Sequence, residues 1–215
     1  DGIITTFAVV SGVAGSALGA NVIVILGLAN LFADGFSMAT GAFLSAKSEQ
    51  EYYHRERERE AWEVDHFPEG ERAELYEIYV RRGYTEQEAA GLVAIQTARK
   101  EQWVDAMMVL ELSLLPDETN LLSSALATFV AFVVAGAVPL LAYLVSSLVP
   151  LDPVIRFPLS IALTAAALFG LGAAKVYVTA RNWLTSGLEM MAVGGLASVV
   201  AYGVGYLLRG IGGGA

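Results

Sequence analysis

Apolar residues dominate both ends of the chain, whereas charged residues are concentrated in one internal window. The window runs from Lys47 to Glu118 and holds 18 of the 22 Asp and Glu residues and 9 of the 13 Lys and Arg residues. The flanking sequence is rich in Gly, Ala, Val and Leu over stretches long enough to cross a bilayer. This pattern predicts an all-α, multi-pass membrane protein with one charged helical insert.

The apolar stretches predict five transmembrane helices, with the insert between the second and the third. They cover residues 3–28, 31–47, 121–149, 154–179 and 184–208. The first two are separated only at Ala29-Asn30. We therefore expect transmembrane helices 1–2 in residues 1–48, a charged helical domain in residues 49–118, and transmembrane helices 3–5 in residues 119–215.

Local signals predict four helical segments in the insert. Residues 48–64 lack Gly and Pro and should extend the second span, with a break at Phe67-Pro68-Glu69-Gly70. Residues 71–82 should form a helix that Gly83 ends. Thr85 and Glu88 fit a capping box that starts a third helix, and residues 101–115 should form a fourth.

Small residues recur in the first apolar stretch, where Ser11, Gly15 and Gly19 repeat every four residues. Such a stripe favours close helix contacts in a membrane, although glycine is also common in membrane helices generally.

Basic residues at the predicted span ends indicate the orientation of the chain. Lys47, Lys175 and Arg181 share the face of the insert, and the positive-inside rule then puts the insert in the cytosol.

Composition excludes several classes of protein. The chain has no Cys, so a disulfide framework or thiolate metal site is ruled out. A net charge of -9 argues against a nucleic-acid partner. The sequence carries no G-x-S-x-G motif and no phosphate-binding loop, and we expect no enzyme activity. Asp1 is not preceded by a basic segment, so no cleavable signal peptide is expected.

Carboxylates in the insert recur at helical spacing. The acidic positions are Glu56, Glu60 and Glu63 on one helix face, Glu71 and Glu74 after the predicted turn, and Glu111 one turn after Met107. Clustered carboxylates repel one another unless a cation neutralises them, and a thioether favours a transition ion over Ca²⁺ or Mg²⁺. The alternative is a solvated helix with ion pairs, because arginines alternate with these glutamates.

Polar residues within the apolar stretches form a second candidate site. Asp34 and Met38 are four residues apart and share a helix face, and Asp1 and Glu189 lie at the starts of their spans. Acidic residues inside a membrane are costly and usually serve ion binding or proton relay. A hydrogen-bonded structural acid at Asp34 and an interfacial Glu189 remain alternatives.

Four short motifs occur along the chain in order: Asp1-Gly2, Phe36-Ser37-Met38, Ala46-Lys47-Ser48-Glu49 and Ala106-Met107-Met108. In these motifs and their order the chain resembles the vacuolar iron transporter family, as a bacterial-type member that keeps the cytosolic helical metal-binding domain, here residues 49–118. It implies a homodimer that exchanges cytosolic Fe²⁺ for protons across a lipid bilayer. The implied capture residues are Glu60, Glu63, Glu71, Glu74, Met107 and Glu111.

The resemblance further implies a translocation path through Asp1 and Met38 of both subunits. Plant members of the family have an acid in the second span at the position of Asn30, whereas this chain has Asp34 one turn later.

The leading interpretation is therefore a proton-coupled exporter of Fe²⁺ from the cytosol, with Asp34 on the path and with Asp34 and Glu189 as candidates for proton coupling. Mn²⁺ is a further candidate substrate, and Zn²⁺ or Co²⁺ can occupy the same kind of site. The membrane would be the plasma membrane in a prokaryote and the vacuolar membrane in a eukaryote. A non-transporting membrane metal sensor and an organic-cation transporter using Phe32 and Phe36 are the alternatives.

Overall fold

The computed structural model describes residues 1–116, 119–149, 151–179 and 182–212, and within these ranges all regular structure is helical. Two positions used above, Glu118 and Arg181, lie outside the described residues. The chain forms two compact units. The apolar unit comprises residues 1–42 and those from 123 onward, and the charged unit comprises residues 43–122.

Eleven α-helices and one 3₁₀ turn make up the described part of the chain. They are α1 (Gly2–Gly15), α2 (Ala20–His66), α3 (Pro68–Arg81), α4 (Glu86–Gln96), α5 (Lys100–Leu110), α6 (Leu121–Gly136), the 3₁₀ turn Val138–Leu140, α7 (Leu141–Leu148), α8 (Pro153–Ala174), α9 (Val176–Thr179), α10 (Trp183–Leu207) and α11 (Arg209–Gly212).

The predicted boundary between the first two spans is wrong. The chain breaks after Gly15, not at Ala29-Asn30, and α2 then continues without interruption to His66. Ala17 takes a left-handed conformation with φ of 61°, which ends α1. The Arg209 side chain also donates to the Gly15 carbonyl at 2.6 Å, so it satisfies one of the carbonyls left free at that helix end.

Asn30 does not break α2 because its side chain has a partner within the helix. The Asn30 amide donates to the Asp34 carboxylate at 2.9 Å, one turn further on. The two side chains satisfy each other's hydrogen-bonding groups on the helix surface, so neither competes for the backbone hydrogen bonds of the helix.

Four stretches in the described residues are long and apolar enough to cross a membrane: Ala20–His66, Leu121–Leu148, Pro153–Thr179 and Trp183–Leu207. In α2 the apolar part is the first half, residues 20–46, since Lys47 begins the charged window. Helix α1 has 14 residues, which span about 21 Å at the usual rise. A hydrocarbon core is about 30 Å thick, so the fifth span stays a prediction.

In the apolar unit, α1 packs directly against α10 through small residues. The Ser11 and Ser198 hydroxyls are 2.6 Å apart in a hydrogen bond between the two helices. A methyl group added at Gly15 or Gly205 would collide with the backbone of the other helix. The predicted stripe therefore makes close contacts at Ser11 and Gly15, whereas Gly19 lies in the turn before α2.

The charged unit surrounds a separate hydrophobic core. Leu75, Trp103, Met107 and Met108 are buried in it, together with Val64 from the charged half of α2. This core fixes the relative positions of α3 and α5 and of the second half of α2.

Most of the predicted helix ends in the insert are confirmed. Helix α2 ends before Phe67, Gly83 follows α3 with φ of 96°, and Thr85 and Glu88 form the capping box of α4. Helix α3 starts at Pro68, three residues before the predicted start at Glu71, since proline is well suited to the first turn of a helix. The fourth helix is shorter than predicted: α5 ends at Leu110 and not at Leu115.

Candidate metal centre

The carboxylates of Glu60, Glu63 and Glu71 converge in the charged unit. Each offers an oxygen, and the three oxygens lie within 4.8 Å of one another. Glu60 and Glu63 lie three residues apart on α2 and share a face. The turn at Phe67 starts α3, whose first turn carries Glu71. Local helix geometry and one tight turn therefore assemble the first group.

A second group of carboxylates shares Glu71 with the first. Oxygens of Glu71, Glu74 and Glu111 also lie within 4.8 Å of one another. Glu74 is one turn after Glu71 on α3, and Glu111 directly follows the last residue of α5. We call the five glutamates of the two groups the carboxylate cluster.

The spacing of these oxygens suits a bound cation. Oxygen ligands lie about 2.0–2.6 Å from a divalent ion, so two ligands of one ion are at most about 4–5 Å apart. Each group in the carboxylate cluster meets that limit. Two groups that share one glutamate offer room for one ion or for two neighbouring ions.

Two oxygens of the carboxylate cluster are buried without a hydrogen-bond partner among the described residues. They are one oxygen of Glu60, which is 0% exposed, and one of Glu71, which is 6% exposed. A buried carboxylate oxygen without a donor costs free energy. A cation is the partner that these two oxygens can share.

Burial and mutual repulsion make these carboxylates harder to ionise. Burial, followed by the charge of Glu60, raises the pKa of Glu71 to about 7. Burial and the charge of Glu60 likewise raise the pKa of Glu111 to about 7. Burial also raises the pKa of Glu60, against the hydrogen bond from Arg59. Protons and metal ions should therefore compete for the carboxylate cluster near neutral pH.

Arg59 is part of this arrangement, although the sequence pattern indicated the alternating arginines only as ion-pair partners on a solvated helix. Its guanidinium lies 3.1 Å from Glu60, 3.8 Å from Glu63 and 2.6 Å from Glu56. The sequence spacing indicates these contacts, since Glu56 lies three residues before Arg59 and Glu63 four residues after it, and such residues are neighbours on a helix. Glu56 belongs to neither group of the carboxylate cluster and is paired with arginines.

Met107 lies near the C-terminal end of α5, one turn before Glu111. It is fully buried in the hydrophobic core of the charged unit. The Glu111 backbone N–H donates to the Met107 carbonyl at 3.0 Å, so the thioether residue is one turn before that carboxylate.

Asp1, Asp34 and Met38 are brought together in the apolar unit. They line a cavity of about 170 Å³ with Thr5, Ser37 and Phe132. Asp34 is half-buried there, and its carboxylate accepts the hydrogen bond from Asn30. Two carboxylates, a thioether and two hydroxyls thus line one small space.

A larger cavity of about 350 Å³ also contains Asp1 and Met38 in its lining. Met190 of α10 and Thr128 of α6 contribute to it. Sequence spacing could not find these two residues, because they come from helices distant in the chain. Glu189 is exposed on α10 and lines neither of the two cavities described here.

Apolar helices long enough to cross a bilayer define this chain as an integral membrane protein. The comparison with known proteins then gives its family. The model of the VIT family matches residues 1–206, and the chain belongs to that family. This confirms the resemblance seen in the sequence. The proteins of this family are transporters, so the expectation that the chain is not an enzyme is also confirmed.

Three relatives that are named vacuolar iron transporters are each 35% identical to the chain. They are a vacuolar iron transporter of Toxoplasma gondii, matched over 97% of this chain and 71% of its own length; vacuolar iron transporter 1 of Arabidopsis thaliana, over 94% and 80%; and vacuolar iron transporter 1 of Eucalyptus grandis, over 95% and 81%.

Proposed function

We propose that this protein exports Fe²⁺ from the cytosol in exchange for protons. The relatives named vacuolar iron transporters support iron as the substrate. The observation that carries the proposal is the convergence of five carboxylates, with two buried oxygens that lack a donor among the described residues. Mn²⁺ is the second substrate we propose, and Zn²⁺ and Co²⁺ are competitors, because carboxylate and thioether ligands discriminate weakly among these ions.

In this proposal the carboxylate cluster captures the metal. Glu60, Glu63, Glu71, Glu74 and Glu111 supply oxygens, and Met107 supplies a thioether. The charged unit would face the cytosol, as Lys47 and Lys175 indicate by the positive-inside rule. High local negative charge at that site would raise the local concentration of divalent cations.

The translocation path would run through the cavity lined by Asp1, Asp34 and Met38. Its supporting observation is that the three side chains line one space inside the apolar unit. The path would be completed by a second subunit in a homodimer, with Asp1 and Met38 contributed by both. Dehydrated divalent ions need such ligands inside a membrane, where water cannot replace them.

Asp34 is the group we propose for proton coupling. It is half-buried, and Asn30 holds its carboxylate in place. A carboxylate that binds either a proton or a metal ion can exchange one for the other across a membrane. Glu189 is a second proton-coupling candidate on sequence grounds, and its exposed position on α10 makes Asp34 the better one.

Transport into proteoliposomes tests this function. Wild-type protein should take up Fe²⁺ when the lumen is more acidic than the outside, and the lumen should become more alkaline in step with uptake, because protons leave as Fe²⁺ enters. Asp34→Asn should abolish both signals, because an amide neither ionises nor exchanges protons. Thr128→Ser, which keeps a hydroxyl in the larger cavity, is the matched control and should retain uptake.

Uptake that is unchanged by the pH gradient would contradict proton coupling. Tight Fe²⁺ binding without any uptake by wild-type protein would instead favour a membrane metal sensor.

A further inference from the structure

Arg59 holds three carboxylates with one guanidinium. It contacts Glu56 at 2.6 Å, Glu60 at 3.1 Å and Glu63 at 3.8 Å. The arginine side chain is 48% exposed, whereas those of Glu56 and Glu60 are 7% and 0% exposed. Arg59 is therefore a water-accessible cation paired with two buried carboxylates and one partly exposed carboxylate.

The contacts of Arg59 overlap with the candidate metal ligands. Glu60 and Glu63 each contribute an oxygen to the first group of the carboxylate cluster. The Glu60 oxygen that receives the hydrogen bond from Arg59 is distinct from the oxygen that has no donor. A divalent ion bound by Glu60 and Glu63 would sit beside a positive guanidinium, and the two like charges repel.

Glu56 offers Arg59 a position away from the ion. Its carboxylate is outside both groups of the cluster and makes the shortest of the three contacts with Arg59. It also accepts from Arg55 at 3.1 Å, so its position does not depend on Arg59 alone. Arg59 can thus keep one buried partner while it gives up the other two.

We propose that Arg59 is an internal counter-cation that the incoming metal displaces from Glu60 and Glu63, and that Glu56 retains it. The inference rests on the proposed capture role of the carboxylate cluster. Arg59 offsets the repulsion among the glutamates of the empty site, and its displacement lowers the affinity for metal. The site therefore binds loosely enough to pass the ion on, and Arg59 sets that affinity.

Mn²⁺ binding to the full-length protein in detergent tests this proposal by calorimetry. The buffer should be at pH about 8.5, above the pKa of about 7 of Glu71 and Glu111, so that protons compete little. Glu71→Gln defines the binding that does not belong to the cluster. Arg57→Gln is the control, since Arg57 lies on the same helix and pairs with Asp105 at 2.9 Å.

Arg59→Gln should bind Mn²⁺ about three- to tenfold more tightly than wild type, as expected for the loss of a partly exposed ion-pair competitor. The metal-free Arg59→Gln protein should melt at a lower temperature than the metal-free wild type, and Mn²⁺ should remove this difference. The Mn²⁺ affinity of Arg59→Lys should fall between those of wild type and Arg59→Gln, because lysine keeps the positive charge but lacks the planar guanidinium that donates to two carboxylates at once. Arg57→Gln should match wild type.

Glu56→Gln supplies an independent arm of the test. It should weaken Mn²⁺ binding about threefold when Arg59 is present, since Arg59 then stays with Glu60 and Glu63. In the Arg59→Gln background the same change should have a smaller effect, which a double-mutant cycle measures.

Weaker or unchanged Mn²⁺ binding by Arg59→Gln would overturn the proposal, as would an equal effect of Glu56→Gln in both backgrounds. Absence of cluster binding in the wild type, with Glu71→Gln indistinguishable from it, would instead refute the capture role itself.

Discussion

At the scale of single residues, Glu71 is the glutamate that joins the two groups of the carboxylate cluster. It is buried, belongs to both groups of the carboxylate cluster, and has an oxygen without a donor among the described residues. Its pKa of about 7 follows from burial and from four neighbouring carboxylates. The same properties that favour a metal ion at Glu71 make the empty site sensitive to pH.

The metal-free protein should lose stability as the pH rises through this range. The pKa of Glu71 is raised from 4.5 to about 7 in the folded state, so the folded protein binds a proton there that the unfolded chain has lost. The free energy of unfolding should therefore fall between pH of about 4.5 and pH of about 7, and change little from this group outside that window. Thermal unfolding of chelator-treated protein across that window measures the effect.

Glu71→Gln and Glu77→Gln separate this contribution from those of other groups. Glu71→Gln should make the pH dependence shallower, because glutamine does not titrate, while Glu111, whose pKa is also about 7, still contributes. Glu77 lies on the same helix and is exposed, and Glu77→Gln should behave as wild type. Equal pH dependence in wild type and Glu71→Gln would contradict the assignment.

At the scale of helices, the contact between α1 and α10 depends on the absence of side chains. A Cβ atom at Gly205 would collide with the backbone of Gly12, and one at Gly15 with the backbone of Tyr202. Backbone atoms cannot rotate away as the end of a side chain can. Close approach of the two helices therefore requires glycine at these positions.

Gly205→Ala should destabilise the apolar unit by about 1–3 kcal/mol, the usual cost of overpacking. Gly203→Ala is the matched control, because a Cβ at Gly203 meets nothing within 4 Å. Thermal unfolding in detergent should show a lower midpoint for Gly205→Ala and little change for Gly203→Ala. Equal midpoints for the two variants would show that the helices are not closely packed.

Helix boundaries show where the sequence is informative and where it is not. The ends of α2 and α3 and the start of α4 could be predicted because Pro68, Gly83 and Thr85 act through local backbone geometry. The break after α1 could not, because Ala17 carries no turn signal and takes its left-handed conformation only in the folded chain. Asn30 was misleading, since its polarity is satisfied by Asp34 within the helix.

At the scale of the whole chain, the sequence predicted the type of protein and much of the candidate site. Periodicity alone places Glu60 and Glu63 on one face and Glu71 after a turn. The participation of Met190 and Thr128 depends on contacts that only the folded chain creates, whereas helical spacing alone already places Arg59 beside Glu56 and Glu63. The division into an apolar and a charged unit follows from the distribution of charge along the chain.

The central claim is that the carboxylate cluster captures metal and the apolar unit translocates it. The most direct test is the rate of Fe²⁺ uptake into proteoliposomes as a function of Fe²⁺ concentration. Glu60→Gln/Glu71→Gln should raise the half-saturating concentration by about tenfold or more, since groups at a metal site are typically worth about 10- to 100-fold in affinity. Its maximal rate should stay within about twofold of wild type, because capture affects binding and not passage.

Met38→Leu should do the opposite, since leucine keeps the size of methionine and removes only the thioether from the path. It should lower the maximal rate and leave the half-saturating concentration nearly unchanged. A cluster variant with no uptake at saturating Fe²⁺, or with wild-type kinetics throughout, would contradict the separation of capture from translocation.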